Sequence, residues 1–339
     1  MPTIFDVAEI AGVSAKTVSR VLNGDSAVKR QTKERVLAAM SELGYKVNSQ
    51  ARQLRTGRTN SPIGMLQTDP ASGYQSRFHH AMLTASMEAD NYLAIELFEL
   101  ERSESLNTLD KFLSRSSIRS MVLLPPLCDY GPLKTMLRER DIKGVLISPM
   151  TPDLVFPSVS LDDRQAARDA TEYLLSIGHT RIAHIAGHPD HAAAFLRKQG
   201  FYEAFAAKGL PRPPSYYVSE GAFTFKSGIL ASEKLLTLVD RPTAIFVSND
   251  EMAAATCSVA HKMNLRIPED LSVVGFDDAP IASAIWPTLT TVQQPYLEMA
   301  RKCVAIANGQ AGHAGEHDTA TGHILPHSLI IRDSTSALK

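Results

Sequence analysis

The chain has 339 residues, 44% hydrophobic and 21% charged, with a formal net charge of −1. That length suits two or three domains, and the composition excludes a disordered or fibrous protein. The small total hides a split. Residues 1–60 hold ten Lys/Arg against five Asp/Glu, a net +5, which leaves −6 for the remainder. A basic segment joined to an acidic body suits a polyanion-binding module on a separate sensing or catalytic body. Cys128, Cys257 and Cys303 are far apart and form no CxxC pair, which fits a reducing cytoplasm. No apolar run reaches bilayer-spanning length, and Met1-Pro2-Thr3 does not open a signal peptide, so a cytoplasmic location without membrane contact is expected.

In chain order, Thr3 and Asp6 make a variant capping box for a first helix over Ile4 to Ala11, with Val7, Ala8 and Ala11 on its apolar face. Gly12 stops it, and Ser14 caps a second helix over Ala15 to Leu22. Val18, Val21 and Leu22 share one face there, with Ala15, Lys16, Thr17, Ser19 and Arg20 on or beside the opposite one. Small, hydroxyl and cationic side chains at a helix N-terminus suit a DNA major groove. A third helix from about Gln31 is expected to bury Val36, Leu37, Met40 and Leu43 and to stop at Gly44. The spacing alone fits a generic three-helix bundle with a solvated basic face equally well.

The wording is more specific. Asp6-Val7-Ala8-Glu9-Ile10-Ala11-Gly12-Val13-Ser14, followed by Thr17-Val18-Ser19-Arg20-Val21-Leu22-Asn23-Gly24, resembles the headpiece of the LacI/GalR family of bacterial repressors. The resemblance runs on through Tyr45 into Asn48-Ser49-Gln50-Ala51-Arg52-Gln53-Leu54, the family's hinge. It implies that Thr3, Ser14, Ala15, Lys16, Thr17, Ser19, Arg20, Asn23 and Tyr45 meet operator DNA. It also implies that Asn48, Ala51, Arg52 and Leu54 act in the hinge, with Leu54 as a minor-groove wedge. Val47 stands where the family usually has proline. Arg55 to Pro62 is polar and breaker-rich and reads as a linker.

Beyond Pro62, apolar runs at Ile63, Leu93, Met121, Gly144, Ile182, Ala244 and Leu271 read as strands. They alternate with helices over Phe78–Ala89, Arg164–Ile177, Ala192–Ala207, Lys226–Leu238, Asp250–Met263 and Tyr296–Ala307. Near-continuous apolar strands between helices mean parallel sheets covered on both faces, with ligands at strand C-terminal ends. So long a body implies two doubly wound halves, with a break near Leu161 and a cleft between them. Segments such as Ser248-Asn249-Asp250-Glu251-Met252-Ala253 and Ile267 to Asp278 resemble the same family's effector domain, similar in fold to periplasmic sugar-binding proteins.

The organisation expected is a small all-α helix-turn-helix headpiece over 1–47, hinge and linker over 48–61, and an α/β body over 62–339. By the resemblance, 62–161 with 293–321 make one half, and 162–292 with 322–339 the other. Arg197, Asn249 and Asp277 match family ligand contacts and together suit a polyhydroxylated ligand, with Phe223 or Tyr74 as a stacking platform. Asp162 and Gln294 match cleft positions, Asp162 also being a natural helix cap. Of Asp277-Asp278, the first is the expected contact.

His179, His184, His188 and His191 converge on no face, so no metal is expected. Neither is a cofactor or an enzyme, for there is no phosphate loop, nucleophile elbow or HExxH. The reading is a cytoplasmic homodimeric repressor, without a heptad extension for tetramers, that binds a near-palindromic operator under the control of a small carbohydrate. The alternative is a sugar-binding or sugar-modifying protein with an accessory DNA-binding domain.

Overall fold

The computed structural model describes residues 3–22, 28–43, 61–69, 72–100, 102, 104–310 and 322–338. The chain forms two compact units, Met1–Asn60 and Ser61–Lys339.

The first unit holds helices α1 (Ile4–Ala11), α2 (Ala15–Leu22) and α3 (Arg30–Glu42). Thr3 and Asp6 close the capping box at the start of α1. Gly12 ends the helix at φ +63, and its N–H donates to the Ala8 and Glu9 carbonyls. Arg35 of α3 donates to the carbonyls of Ala11 and Gly12, and a Cβ at Gly12 would fall 2.7 Å from its Nη2. The left-handed backbone favours glycine there. The core is built from small side chains, Val7, Ala8, Ala11, Val18, Val21, Val36 and Ala39. Burial of each valine contributes at most about 1.5–3 kcal/mol as a transfer value. The apolar stripe expected on α3 is corrected at one position: Leu37 is 49% exposed, and Ala39 takes the buried place.

The second unit has two six-stranded sheets. The first contains β1 (Ile63–Gln67), β2 (Leu93–Leu97), β3 (Ser120–Leu123), β4 (Lys143–Ile147), β5 (Ser158–Leu161) and β11 (Gly322–Leu325), in the order β11-β5-β4-β3-β1-β2. The second contains β6 (Ile182–Ile185), β7 (Val218–Ser219), β8 (Ala244–Val247), β9 (Ser272–Asp277), β10 (Thr290–Gln293) and β12 (Ser328–Ile330), in the order β12-β10-β9-β8-β6-β7. All pairings are parallel except β10 with β12. Strands β3, β6, β8 and β9 are buried along their whole length, as two-sided covering demands.

The covering helices are α4 (Gly73–Glu88), α5 (Ser105–Ser116), α6 (Gly131–Glu139), α7 (Asp163–Ser176), α8 (Ala192–Ala207), α9 (Phe225–Leu236), α10 (Asp250–Lys262), α11 (Pro280–Ala284) and α12 (Tyr296–Ala307). Helix α12 packs against α4 and the first sheet, whereas α7 packs against α8 and the second sheet. Among the described residues the chain therefore passes between halves at Asp162, at Gln294-Pro295 and at Pro326-His327. Two expected boundaries shift. Gln293 is still part of β10 in the second sheet, and Gly322–Leu325 pairs with β5 in the first. The last return thus comes after Leu325 rather than at 322.

Candidate functional site

In the first unit, the residues expected to face DNA split by exposure. Lys16 and Arg20 of α2 are exposed, and Ala15, Thr17 and Ser19 are half-buried beside them. Ser14 caps α2: Thr17 N–H donates to its Oγ at 3.2 Å, and the two hydroxyls lie 2.9 Å apart. Thr3 is exposed and its hydroxyl donates to Asp6 at 2.8 Å. Ser14 and Thr3 thus each have a capping task beside any DNA contact. Asn23, Tyr45, Asn48, Ala51, Arg52 and Leu54 lie outside the described residues.

In the second unit, a cavity of about 540 Å³ opens where the strand C-terminal ends of both halves meet. Thr68 follows β1, Pro125 follows β3, Ser148 follows β4 and Asp163 follows β5. From the other half, His188 follows β6, Phe223 follows β7, Asn249 follows β8, Asp277 ends β9 and Gln294 follows β10. Parallel strands expose their loops at one end, and here two such ends converge.

Six of the seven expected effector residues line it: Tyr74, Arg197, Phe223, Asn249, Asp277 and Gln294. Arg197, on α8, is 4% exposed. Its Nε donates to Asp163 Oδ1 at 2.8 Å, its Nη2 is ion-paired with the same oxygen at 2.7 Å, and its Nη1 donates to the Ser248 carbonyl. The guanidinium lies 3.5 Å from the Phe276 ring centroid. Hydrogens on its Nη atoms remain for a ligand. Asp277 sits at φ +109 and accepts from Gln294 Nε2 at 2.6 Å. Burial pushes its carboxyl up to about 6, opposed by Arg197 and the Gln294 hydrogen bond. Asn249 caps α10 through Oδ1 and donates from Nδ2 to the Phe223 carbonyl at 2.9 Å. That bond helps hold Phe223 at φ +60, over Gly187. A Cβ at residue 187 would lie 1.9 Å from the Phe223 ring, so glycine there makes room for the platform.

Asp162 is the correction. It is exposed and caps α7, its Oδ1 accepting from Gln165 N–H at 2.9 Å, and it does not line the cavity. The next residue, Asp163, is 2% exposed and faces inward to Arg197. Asp162→Ala is expected to cost about 1 kcal/mol, the usual value of a cap, without altering ligand binding; urea unfolding beside a ligand titration checks both. Asp278 is tied to Arg332 at 2.6 Å and to Gln293 at 2.8 Å, away from the cavity.

Sequence reasoning also missed Arg77, Glu251 and Tyr296. Arg77 reaches from α4 to the Asp277 carbonyl at 2.8 Å, and Glu251 accepts from the Gly73 N–H. Each bond spans the two halves. His184 is stacked between Phe201 and Phe246, and burial pushes it down to about 3. Among the described residues no three His, Cys, Asp or Glu side chains converge as metal ligands, and no helix is long and apolar enough to cross a membrane.

Residues 3–48 match the family of bacterial regulatory proteins of the lacI type, and residues 171–335 match a periplasmic binding protein-like domain. Catabolite control protein A of Priestia megaterium is 31% identical over 336 residues, covering 98% of this chain and 99% of the relative. The chain belongs to the lacI family. The repressor CytR of Escherichia coli is likewise 31% identical, over 99% of this chain and 97% of its own. Among solved structures, the lac repressor dimer bound to operator and the anti-inducer ONPF superposes with a TM-score of 0.75 at 28% identity, over 99% of both chains. The complex of the regulator CelR with cellobiose gives 0.69 at 30% identity, over 98% of this chain and all of that one. This lacI-family chain is a DNA-binding transcriptional regulator with a helix-turn-helix unit and a two-sheet parallel α/β body.

Proposed function

We propose that the protein is a homodimeric repressor whose affinity for a near-palindromic operator is set by a small polyhydroxylated ligand, a sugar or sugar derivative, in the cavity. The observation that carries this reading is the convergence of guanidinium, carboxylate and two amides, with Tyr74 and Phe223 as apolar walls, at the strand ends of both halves. Amide and carboxylate accept hydroxyl hydrogens, the guanidinium donates to hydroxyl oxygens, and rings cover the C–H face of a sugar. A similar regulator solved as a complex with cellobiose and a relative named as the ribose operon repressor support the ligand class. Lys16, Thr17, Ser19 and Arg20 then read base edges, while exposed cations position the unit on phosphates.

The test is a thermal-shift screen of sugars, followed by operator binding. A ligand at 100 times its Kd stabilises the body by about 2.7 kcal/mol. Whatever factor it imposes on operator affinity, operator must impose on it, because the coupling is reciprocal. A stabilising cavity ligand that leaves operator affinity untouched would remove the regulatory reading.

Acid should weaken the ligand. Asp277 accepts hydroxyl hydrogens best when ionised, so ligand affinity is expected to fall as pH drops through about 6. The same raised value means that folding favours the protonated form. Asp277's contribution to stability therefore declines as pH rises from near 3.8 to about 6. Calorimetric titrations at pH 5 to 8, with Asp277→Asn losing the pH step, check the assignment.

A further inference from the structure

The cavity walls are more acidic than hydroxyl recognition alone requires. Asp69, Asp163, Glu251 and Asp277 line them against two guanidiniums, Arg77 and Arg197. Both cations are already engaged by protein. Arg197 is ion-paired with Asp163 and donates to the Ser248 carbonyl; Arg77 donates to the Asp277 carbonyl and lies 4.6 Å from the Tyr296 ring centroid. His191 adds little positive charge, because burial pushes it down to about 4. An independent observation points to a ligand in the same space. Tyr296 is 6% exposed and lines the cavity, yet its buried hydroxyl has no hydrogen-bond partner. A buried hydroxyl left unpaired is costly, and a ligand group reaching it removes that cost.

We propose that the effector carries no negative charge: it is an uncharged polyol or an ammonium-bearing derivative that donates to Asp277, and phosphorylated or uronic-acid sugars are excluded. An entering anion would meet two more carboxylates than guanidiniums, and the charge of Arg197 is already offset by Asp163. Like charges brought together in a desolvated site select against the wrong partner. The proposal deepens the reading of the cavity as the effector site and rests on it.

A test that needs no effector keeps the two readings separable. Ala193, on α8, lines the cavity and makes no side-chain hydrogen bond, and Cys128, Cys257 and Cys303 are buried. In full-length Ala193→Cys, and in Ala222→Cys as a second position on the wall, alkylthiolation is timed with trimethylammonium-ethyl and sulfonato-ethyl methanethiosulfonate. Each rate is divided by the rate for N-acetylcysteine. The cationic reagent is expected to win by tenfold or more at both positions. Adding Asp277→Asn with Glu251→Gln should bring the ratio toward one. Equal normalised rates, or a faster anionic reagent, overturn the proposal, as does a sugar phosphate or uronate that binds more tightly than its neutral parent.

Discussion

Arg197→Ala is expected to destabilise the body by about 3–5 kcal/mol and to abolish the ligand response. The magnitude follows from what the guanidinium leaves behind rather than from what it binds. Asp163 keeps only 3% of its side chain exposed and would lose its cation, and the Ser248 carbonyl would lose a donor. A buried carboxylate without a partner is among the few lesions able to remove so large a share of a protein's stability. Two effects are thus superposed, and a paired variant separates them. Arg197→Met with Asp163→Leu removes both charges together, which is often close to neutral for stability, so it should recover most of the loss while remaining blind to ligand. Denaturant unfolding and sugar titration of the three proteins provide the check. A single variant within about 1 kcal/mol of the parent would show that Asp163 is not sealed off by Arg197. Ligand-induced release in the double variant would remove Arg197 from the site.

The Arg197–Asp163 pair also marks where the sequence stops being legible. The elements were readable because their signals are local: capping at Thr3 and Ser14, the stop at Gly12, and apolar runs such as Ala244–Val247 with breakers on either side. Of the cavity residues, Arg197, Asn249 and Asp277 were readable because they follow such runs or match a family position. The choice between Asp162 and Asp163 was not. A cap side chain turns back onto its own helix, while the next residue points wherever tertiary packing places it, and two adjacent aspartates carry no mark of which is which. Leu37 failed for a related reason, since a helical stripe fixes a face only to within one residue. Helices α5 and α6 escaped notice because Ser105–Ser116 and Gly131–Glu139 intersperse few apolar residues with many polar ones. Arg77 and Tyr296 belong to different crossings of the chain, and nothing local announces that they meet.

The second large effect concerns assembly. Strand β2 is an edge of the first sheet, and around it Leu83, Met87, Tyr92, Ile95 and Leu97 are exposed. Leu83 and Met87 share one face of α4 at i and i+4, and Ile95 and Leu97 share one face of β2. An apolar, uncovered edge is an aggregation hazard unless a partner covers it, and a second copy of the chain is the occupant that the repressor reading requires. Met87→Lys with Leu97→Lys would bury two ammonium groups among apolar side chains and should leave a monomer at micromolar concentration by sedimentation. A monomer reads one half-site where the dimer reads two, and the lost tethering should lower operator affinity by roughly a hundredfold or more. Ligand binding should survive, since Met87 lies 13 residues along α4 from Tyr74, about 20 Å of helix from the cavity wall. That survival separates a lost interface from a lost fold. A variant that remains dimeric and keeps its operator affinity would place the interface on another face of the body.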